Sequence, residues 1–229
     1  SYNYYGNKKT YHEFLKQIDD TARAFKAIGV KHRDVVSICM PNTPEGIIAF
    51  YAANKIGAIA SMIHPLSAEN EIKHYLRISK TEWLVCIDFT YEKVSRIMKE
   101  TKLKKVITVS VSESMPPLIK SIYTATNMSK TLISLNPIHY LNGITNPTEK
   151  DNNKKKIAWR DFIRLGKDYE KEIDDGFKGK EVAAILYSGG TTGTPKGVKL
   201  TNLNLNAAAM QNFEHVGCLR DKDKVLAII

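Results

Sequence analysis

The amino-acid sequence predicts an α/β protein in which mostly parallel sheets are flanked by helices. Short apolar runs typical of buried strands alternate with longer segments whose apolar residues recur at helical spacing. Residues that begin or end helices separate these segments, with Pro44 at the start of one helical segment and Gly29 and Gly57 after two others. Helices between successive strands favour a parallel sheet that is covered on both faces.

The N-terminal segment predicts a β-hairpin followed by a helix. Tyr2–Tyr5 is rich in aromatic residues, and Gly6-Asn7 favours a tight turn before the chain returns. Thr10 and Glu13 have the spacing of a capping box, in which each residue satisfies a backbone N–H group of the other. The helix that they begin is expected to end at Gly29.

The next part of the chain predicts four strands that alternate with helices. The predicted strands are Val35–Met40, Ile59–Ile63, Trp83–Ile87 and Val106–Val109. The predicted helices are the segment from Pro44 to Gly57, Ala68–Ile78 with Ser67 as its cap, and Tyr91–Lys99.

The regular pattern weakens between Ser110 and Asn153, because prolines interrupt it and the end of this region is polar. Short helices are expected at Ile119–Thr126 and Trp159–Gly166, and the apolar run Val182–Tyr187 predicts another buried strand. We therefore divide the chain into an N-terminal α/β subdomain, residues 1–181, and the start of a second subdomain, residues 182–229.

Composition and charge argue against several classes of protein. The net charge of +10 comes mainly from lysines spread along the chain, and only Lys154–Lys156 forms a cluster, so no nucleic-acid partner is expected. No apolar run approaches the length of a transmembrane helix. The three cysteines lack metal-ligand spacing, so no metal site is predicted, and their use is typical of a reducing cytoplasm.

The segment from Tyr187 to Val198 has the composition of a phosphate-binding turn. Its glycines permit sharp backbone turns, its hydroxyl groups are hydrogen-bond donors, and consecutive N–H groups in such a turn form an anion site. The order of residues differs from a Walker A loop and from the dinucleotide fingerprint. The candidate phosphate-binding residues are Ser188, Gly189, Gly190, Thr191, Thr192, Gly193, Thr194 and Lys196.

Residues Ser188–Gly197 match throughout the signature Ser-(Ser/Gly)-Gly-Thr-Thr-Gly-x-Pro-Lys-Gly, so the chain resembles the adenylate-forming superfamily. Met40–Glu45 resembles the family's Leu-Pro-Asn turn, and Lys199–Asn204 resembles its Leu-Thr-His-x-Asn element. Asn202 stands where that element commonly has histidine, and it is expected to act as a helix cap.

The resemblance implies a ligase that uses ATP with Mg²⁺ and has a carboxylic acid and CoA as its other substrates. It is closest to an acyl-CoA synthetase, and a fatty or medium-to-long acyl substrate is expected. By resemblance, the turn would hold the β- and γ-phosphates, and Lys196 would be the catalytic residue that neutralises the negative charge of the leaving pyrophosphate. Cytoplasmic localisation is expected, while the oligomeric state and peripheral contact with a membrane surface are left open.

Two alternatives remain at this point. One is an adenylation domain that loads a carrier protein, and the other is a non-catalytic nucleotide-binding protein. The family's adenine, ribose and hinge motifs are absent before Ile229, so the resemblance implies an N-terminal fragment that is inactive by itself. His64 follows a predicted strand, at an end where sites form in parallel sheets, but a structural role is favoured because no partner residue is evident.

Overall fold

The computed structural model describes residues 1–134, 155–173, 178–188 and 195–216. The strands are β1 (Tyr2–Tyr4), β2 (Asn7–Lys9), β3 (Val35–Cys39), β4 (Ile59–Met62), β5 (Trp83–Ile87), β6 (Lys105–Val109), β7 (Lys156–Ala158), β8 (Val182–Ser188) and β9 (Lys196–Thr201). The helices are α1 (Tyr11–Ala27), α2 (Pro44–Lys55), α3 (Glu69–Ser79), α4 (Asp88–Ile97), α5 (Pro117–Ser134), α6 (Trp159–Lys167) and α7 (Asn202–Val216).

The central sheet has seven strands in the order β7-β6-β5-β3-β4-β8-β9. All neighbouring strands are parallel except β8 and β9, which form an antiparallel pair. A separate two-stranded hairpin is formed by β1 and β2. The prediction of an α/β protein with a mostly parallel sheet is therefore confirmed.

Both faces of the sheet are covered by apolar side chains. Ile38 belongs to a core cluster that includes buried residues of α1, α2 and α6, whereas the next residue, Cys39, belongs to a cluster that includes residues of α3 and α4. Successive side chains of a strand point to opposite faces, so one strand contributes to both clusters. Cys39 is also the register partner of Cys86, and both thiols are free and buried, as expected for cysteines used as small apolar residues.

The helix caps agree with the sequence in one case and differ in another. Thr10 caps α1, and the carboxylate of Glu13 accepts from the Thr10 N–H at 2.8 Å, so the predicted capping box is confirmed. The predicted Ser67 cap of α3 is wrong by one residue. Ala68 has the extended backbone of a cap, and its N–H donates to Glu71 at 3.0 Å, so the glutamate half of the box is present without a cap hydroxyl.

Several element bounds also differ from the prediction. The chain forms α5 over Pro117–Ser134 where only Ile119–Thr126 was predicted. The short strand β7 begins at Lys156, where no strand was predicted. The last helix and strand before the candidate turn, α6 and β8, each extend one residue beyond the predicted bounds.

The sheet continues across the predicted subdomain boundary between residues 181 and 182. Strand β8 lies beside β4, with Ser61 opposite Ile185 in parallel register. The division into residues 1–181 and 182–229 stays a prediction. The pairing of β8 with β4 matters for the site, because it brings the segment that precedes the candidate turn against the N-terminal part of the sheet.

Candidate functional site

The antiparallel pair β8–β9 brings together the two described ends of the predicted phosphate-binding turn. Ser188, the last residue of β8, is the register partner of Lys196, the first residue of β9. Both side chains are exposed. The predicted residues Gly189, Gly190, Thr191, Thr192, Gly193 and Thr194 lie between them and outside the described residues, so their role in binding phosphate stays a prediction.

The ammonium group of Lys196 is exposed at the end of this turn. In the described part of the chain, none of the ion pairs involves its ammonium group. An exposed ammonium group on a flexible stem can follow an anion that binds beside it. The geometry of Ser188 and Lys196 therefore suits a polyphosphate at the carboxyl end of β8.

Tyr187 fixes the end of β8 to helix α3. Its ring stacks on the ring of Tyr75, with centroids 4.0 Å apart and planes inclined by 19°. Its hydroxyl lies 2.7 Å from Ser61 Oγ on β4 and donates to the Tyr75 carbonyl at 3.3 Å. Burial raises the pKa of Tyr187, so this hydroxyl keeps its proton at neutral pH.

The start of β9 is fixed to the same helix. His74 Nε2 donates to the Pro195 carbonyl at 3.3 Å, which places the proton of a neutral ring on Nε2. Gly197 lies opposite Tyr187, and a Cβ atom there would be 3.1 Å from Ile185 Cγ2 and 3.4 Å from Tyr187 Cε1. The hydrogen bonds of His74 with Pro195 and of Tyr187 with Ser61 were missed in the sequence, because they join residues that are more than 100 positions apart.

The helix after β9 begins with a cap that differs from the prediction. Thr201 Oγ1 accepts from the Asn204 N–H at 3.1 Å, and Asn204 Oδ1 accepts from the Thr201 N–H at 2.9 Å. Asn202 instead donates to the Lys178 carbonyl at 3.2 Å. Asn202 was therefore wrongly predicted to be the cap, because the hydroxyl of the preceding threonine already occupies that role.

A separate cleft of about 870 Å³ opens at the carboxyl edge of the sheet. It lies at the end of the neighbouring strands β3 and β5. The chain leaves β3 towards β4 on one side of this pair and leaves β5 towards β6 on the other side, and α/β sheets commonly bind ligands at such a position. Its lining is mostly apolar, and His64 is its only described side chain that carries a charge on protonation. The lining residues are Asn3, Tyr4, Tyr5, Met40, Pro41, Asn42, Thr43, Met62, Ile63, His64, Pro65, Leu66, Phe89 and Val111.

The mostly apolar lining of this cleft makes it unsuitable as a phosphate site. A polyphosphate in a largely uncharged, apolar cleft would lose hydration without gaining a cationic partner. His64 uses Nδ1 to accept from the Leu66 N–H at 3.3 Å, which is a local structural contact. The structural role favoured for His64 stays a prediction, and the turn beside Lys196 is the better candidate for phosphate.

Glu45, in the first turn of α2, is a buried carboxyl group. It is 3% exposed, lines a cavity of about 280 Å³ between α1, α2 and α6, and accepts a hydrogen bond from the Ser114 hydroxyl. Burial raises the pKa of Glu45, and the hydrogen bond from Ser114 offsets only part of this effect. The group is therefore a source of pH-dependent stability and lies on the face opposite α3.

Replacing Glu45 by glutamine is expected to stabilise the fold at pH 8 by about 1 kcal/mol, because it removes a buried charge while keeping an acceptor for Ser114. The folded pKa lies above the unfolded value, so ionisation costs stability as the pH rises from the unfolded pKa through the folded pKa. Urea unfolding at pH 4 should give nearly equal free energies for the two proteins. The exposed Glu172→Gln variant is the control, and a Glu45→Gln effect that is equal at both pH values would contradict the assignment.

The described residues contain neither a candidate metal site nor a helix that could span a membrane. Within the described ranges, no group of three or more histidine, cysteine, aspartate or glutamate side chains is placed to hold a metal ion. In the same part of the chain, none of the helices combines the length and apolar character needed to cross a bilayer.

Comparison with known proteins agrees with the resemblance seen in the turn. The chain is 25% identical over 204 residues to a long-chain-fatty-acid–CoA ligase of Bacillus subtilis, covering 89% of this chain and 34% of that protein. It is 26% identical over 223 residues to 4-coumarate–CoA ligase 1 of Solanum tuberosum, covering 96% of this chain and 33% of that protein.

A solved structure has the same fold. The crystal structure of a long-chain-fatty-acid-CoA ligase from Archaeoglobus fulgidus matches with a TM-score of 0.62 and 23% identity, over 90% of this chain and 32% of that one. The chain thus spans about a third of the length of these relatives. The model of the family described as "AMP-binding enzyme" matches residues 1–229, and the chain therefore belongs to this family of AMP-binding, adenylate-forming enzymes.

Proposed function

We propose that the protein carrying this chain is an ATP-dependent ligase that activates a carboxylic acid as its acyl-adenylate and transfers the acyl group to CoA. The observation that supports the proposal best is the pairing of Ser188 with Lys196 across the two ends of the glycine- and threonine-rich turn. This arrangement places a hydroxyl group, and an ammonium group that has no ion pair with any described residue, at the two ends of a segment with the composition of an anion site.

The proposed chemistry begins with attack of the substrate carboxylate on the α-phosphorus of ATP. An oxygen–phosphorus bond forms to the acid, the bond between the α-phosphorus and its bridging oxygen breaks, and pyrophosphate leaves with the electron pair. Ser188 and the backbone of the turn would donate hydrogen bonds to the β- and γ-phosphates, while Lys196 would neutralise the charge of pyrophosphate. The thiol of CoA would then attack the acyl carbon and release AMP.

The Mg²⁺ that the family implies fits this site only as a partner of the nucleotide. The described residues offer no three-ligand set for a metal, but Mg²⁺ at phosphate sites takes many of its ligands from phosphate oxygens and water. Bound with ATP, it would reduce the negative charge that Lys196 has to offset.

The identity of the acid is a finer part of the proposal. We favour a fatty or medium-to-long acyl chain, in line with the relatives from Bacillus subtilis and Archaeoglobus fulgidus. The relative from Solanum tuberosum is named for an aromatic acid, so a screen of acids has to include both classes. A cytoplasmic location is proposed on the same grounds as before, from cysteine usage.

The test is acid-dependent exchange of labelled pyrophosphate into ATP by the intact gene product, screened with fatty and aryl acids. We expect exchange with at least one acid, and acyl-CoA formation when CoA is added. Adenylation without transfer to CoA would favour the alternative that loads a carrier protein. ATP binding without exchange for any acid would favour the non-catalytic alternative and contradict the proposal. The 229-residue chain by itself is predicted to give no exchange.

A further inference from the structure

We propose that His74 and Tyr75 of helix α3 are positioning residues for the phosphate-binding turn, an inference that rests on the proposed function. We call the contacts of these two residues with Tyr187 and Pro195 the α3 clamp. His74 holds the strand that leaves the turn, and Tyr75 holds the strand that enters it.

The Tyr75 half of the clamp fixes the end of β8 in two ways. The stacked rings of Tyr75 and Tyr187, 4.0 Å apart, restrict the direction of the Tyr187 side chain. The Tyr187 hydroxyl adds contacts with Ser61 Oγ at 2.7 Å and the Tyr75 carbonyl at 3.3 Å. Since Ser188 follows directly, the position of its hydroxyl depends on where Tyr187 is held.

The His74 half acts one residue before the proposed catalytic lysine. His74 Nε2 donates to the carbonyl of Pro195, and the peptide unit that contains this carbonyl also contains the Lys196 nitrogen. A planar peptide unit moves as one body, so the hydrogen bond restrains the start of the Lys196 backbone. Pro195 has a fixed φ and no N–H group, which leaves the carbonyl as its one backbone hydrogen-bonding group.

A close neighbour on β9 favours the same arrangement. The Tyr187 ring stacks on Tyr75 and also lies near Gly197, where a Cβ atom would be 3.4 Å from Tyr187 Cε1. A glycine at this position therefore lets the ring lie close to β9 while it stacks on α3. Consecutive residues of one helix thus hold the two described ends of the turn, Tyr187 before it and Pro195 after it.

Two matched pairs of variants test this role in the intact protein. His74→Ala removes the hydrogen bond, whereas His74→Gln keeps an amide donor of similar reach. Tyr187→Phe keeps the stacked ring and removes only the hydroxyl, whereas Tyr187→Leu removes both. Tyr51→Leu is the control, because Tyr51 is an aromatic residue on α2 that is 50% exposed and takes no part in the clamp.

We expect His74→Ala to raise the KM for ATP in pyrophosphate exchange about fivefold, the effect of one lost hydrogen bond, and His74→Gln to restore it to within about twofold. Tyr187→Phe should resemble His74→Ala, and Tyr187→Leu should show a larger rise. The KM for the acid should stay unchanged in the histidine pair. Wild-type KM for ATP in His74→Ala, or equal losses in His74→Ala and His74→Gln, would overturn the proposal.

A second measurement keeps the clamp testable if the proposed function fails. Amide hydrogen exchange of residues 196–201 should be faster in His74→Ala than in wild type and in His74→Gln, with or without nucleotide. Absence of pyrophosphate exchange in the wild-type protein would refute the ligase. Unchanged amide exchange in His74→Ala would refute the clamp.

Discussion

Replacing Lys196 by alanine is expected to lower the rate of acid-dependent ATP–pyrophosphate exchange in the intact protein about 100-fold. The proposed role of Lys196 is to neutralise charge on the departing pyrophosphate, and loss of one group that stabilises developing charge typically has an effect of this size. Because the side chain is exposed and makes no ion pair in the described part of the chain, its removal should leave stability nearly unchanged.

The matched control is Lys199→Ala, which removes an exposed lysine from the same strand. It lowers the net charge by the same amount, so a general electrostatic effect on nucleotide binding would appear in both variants. A loss confined to Lys196→Ala assigns the effect to its position beside the turn. Equal activities of Lys196→Ala and Lys199→Ala would refute the catalytic role of Lys196.

The parallel sheet could be predicted because its signals are local in the sequence. Each buried strand is a short apolar run, and each following helix has its own start and stop residues, such as Pro44 and Gly57 for α2. Strand order has no such signal. The sequence does not specify that β4 lies between β3 and β8, because this order depends on packing between distant elements.

The wrong predictions of local structure have equally specific causes. Strand β7 has only three residues and begins at Lys156, so it lacks the apolar run on which strand prediction depends. The cap of α3 was assigned to Ser67 because serine is a preferred cap residue. In the structure Ala68 has the extended backbone of the cap residue, and the Glu71 carboxylate accepts a hydrogen bond from the Ala68 N–H.

The candidate site divides in the same way between local and long-range features. The turn could be recognised because its glycines, threonines and lysine are consecutive in the sequence. The residues that hold the ends of the turn could not be recognised in the sequence. His74 and Tyr75 lie on a helix whose sequence predicts only an amphipathic pattern. Their role depends on β8 pairing beside β4, which places Tyr187 against α3.

Replacing Gly166 by alanine is expected to lower the free energy of unfolding by about 3 kcal/mol, because it places a methyl group where two helices are in backbone contact. A Cβ atom on Gly166 would lie 2.6 Å from the Ala24 nitrogen and 2.8 Å from the Asp20 carbonyl oxygen, both of α1. Neither atom can rotate away as the end of a long side chain would. The buried pair of Phe25 and Phe162, with ring centroids 5.1 Å apart, fixes the same helices and limits how far they can separate.

The matched control for this prediction is Gly179→Ala, since an added Cβ atom at Gly179 would have no neighbour within 4 Å. Its unfolding free energy should stay within about 1 kcal/mol of wild type, because alanine there adds no clash and slightly restricts the unfolded chain. Urea unfolding compares the two variants directly. Equal stabilities would show that α6 does not pack on α1 as closely as described. A loss specific to Gly166→Ala, with an unchanged KM for ATP at low temperature, would show that this helix contact stabilises the fold independently of the contacts made by α3 on the opposite face.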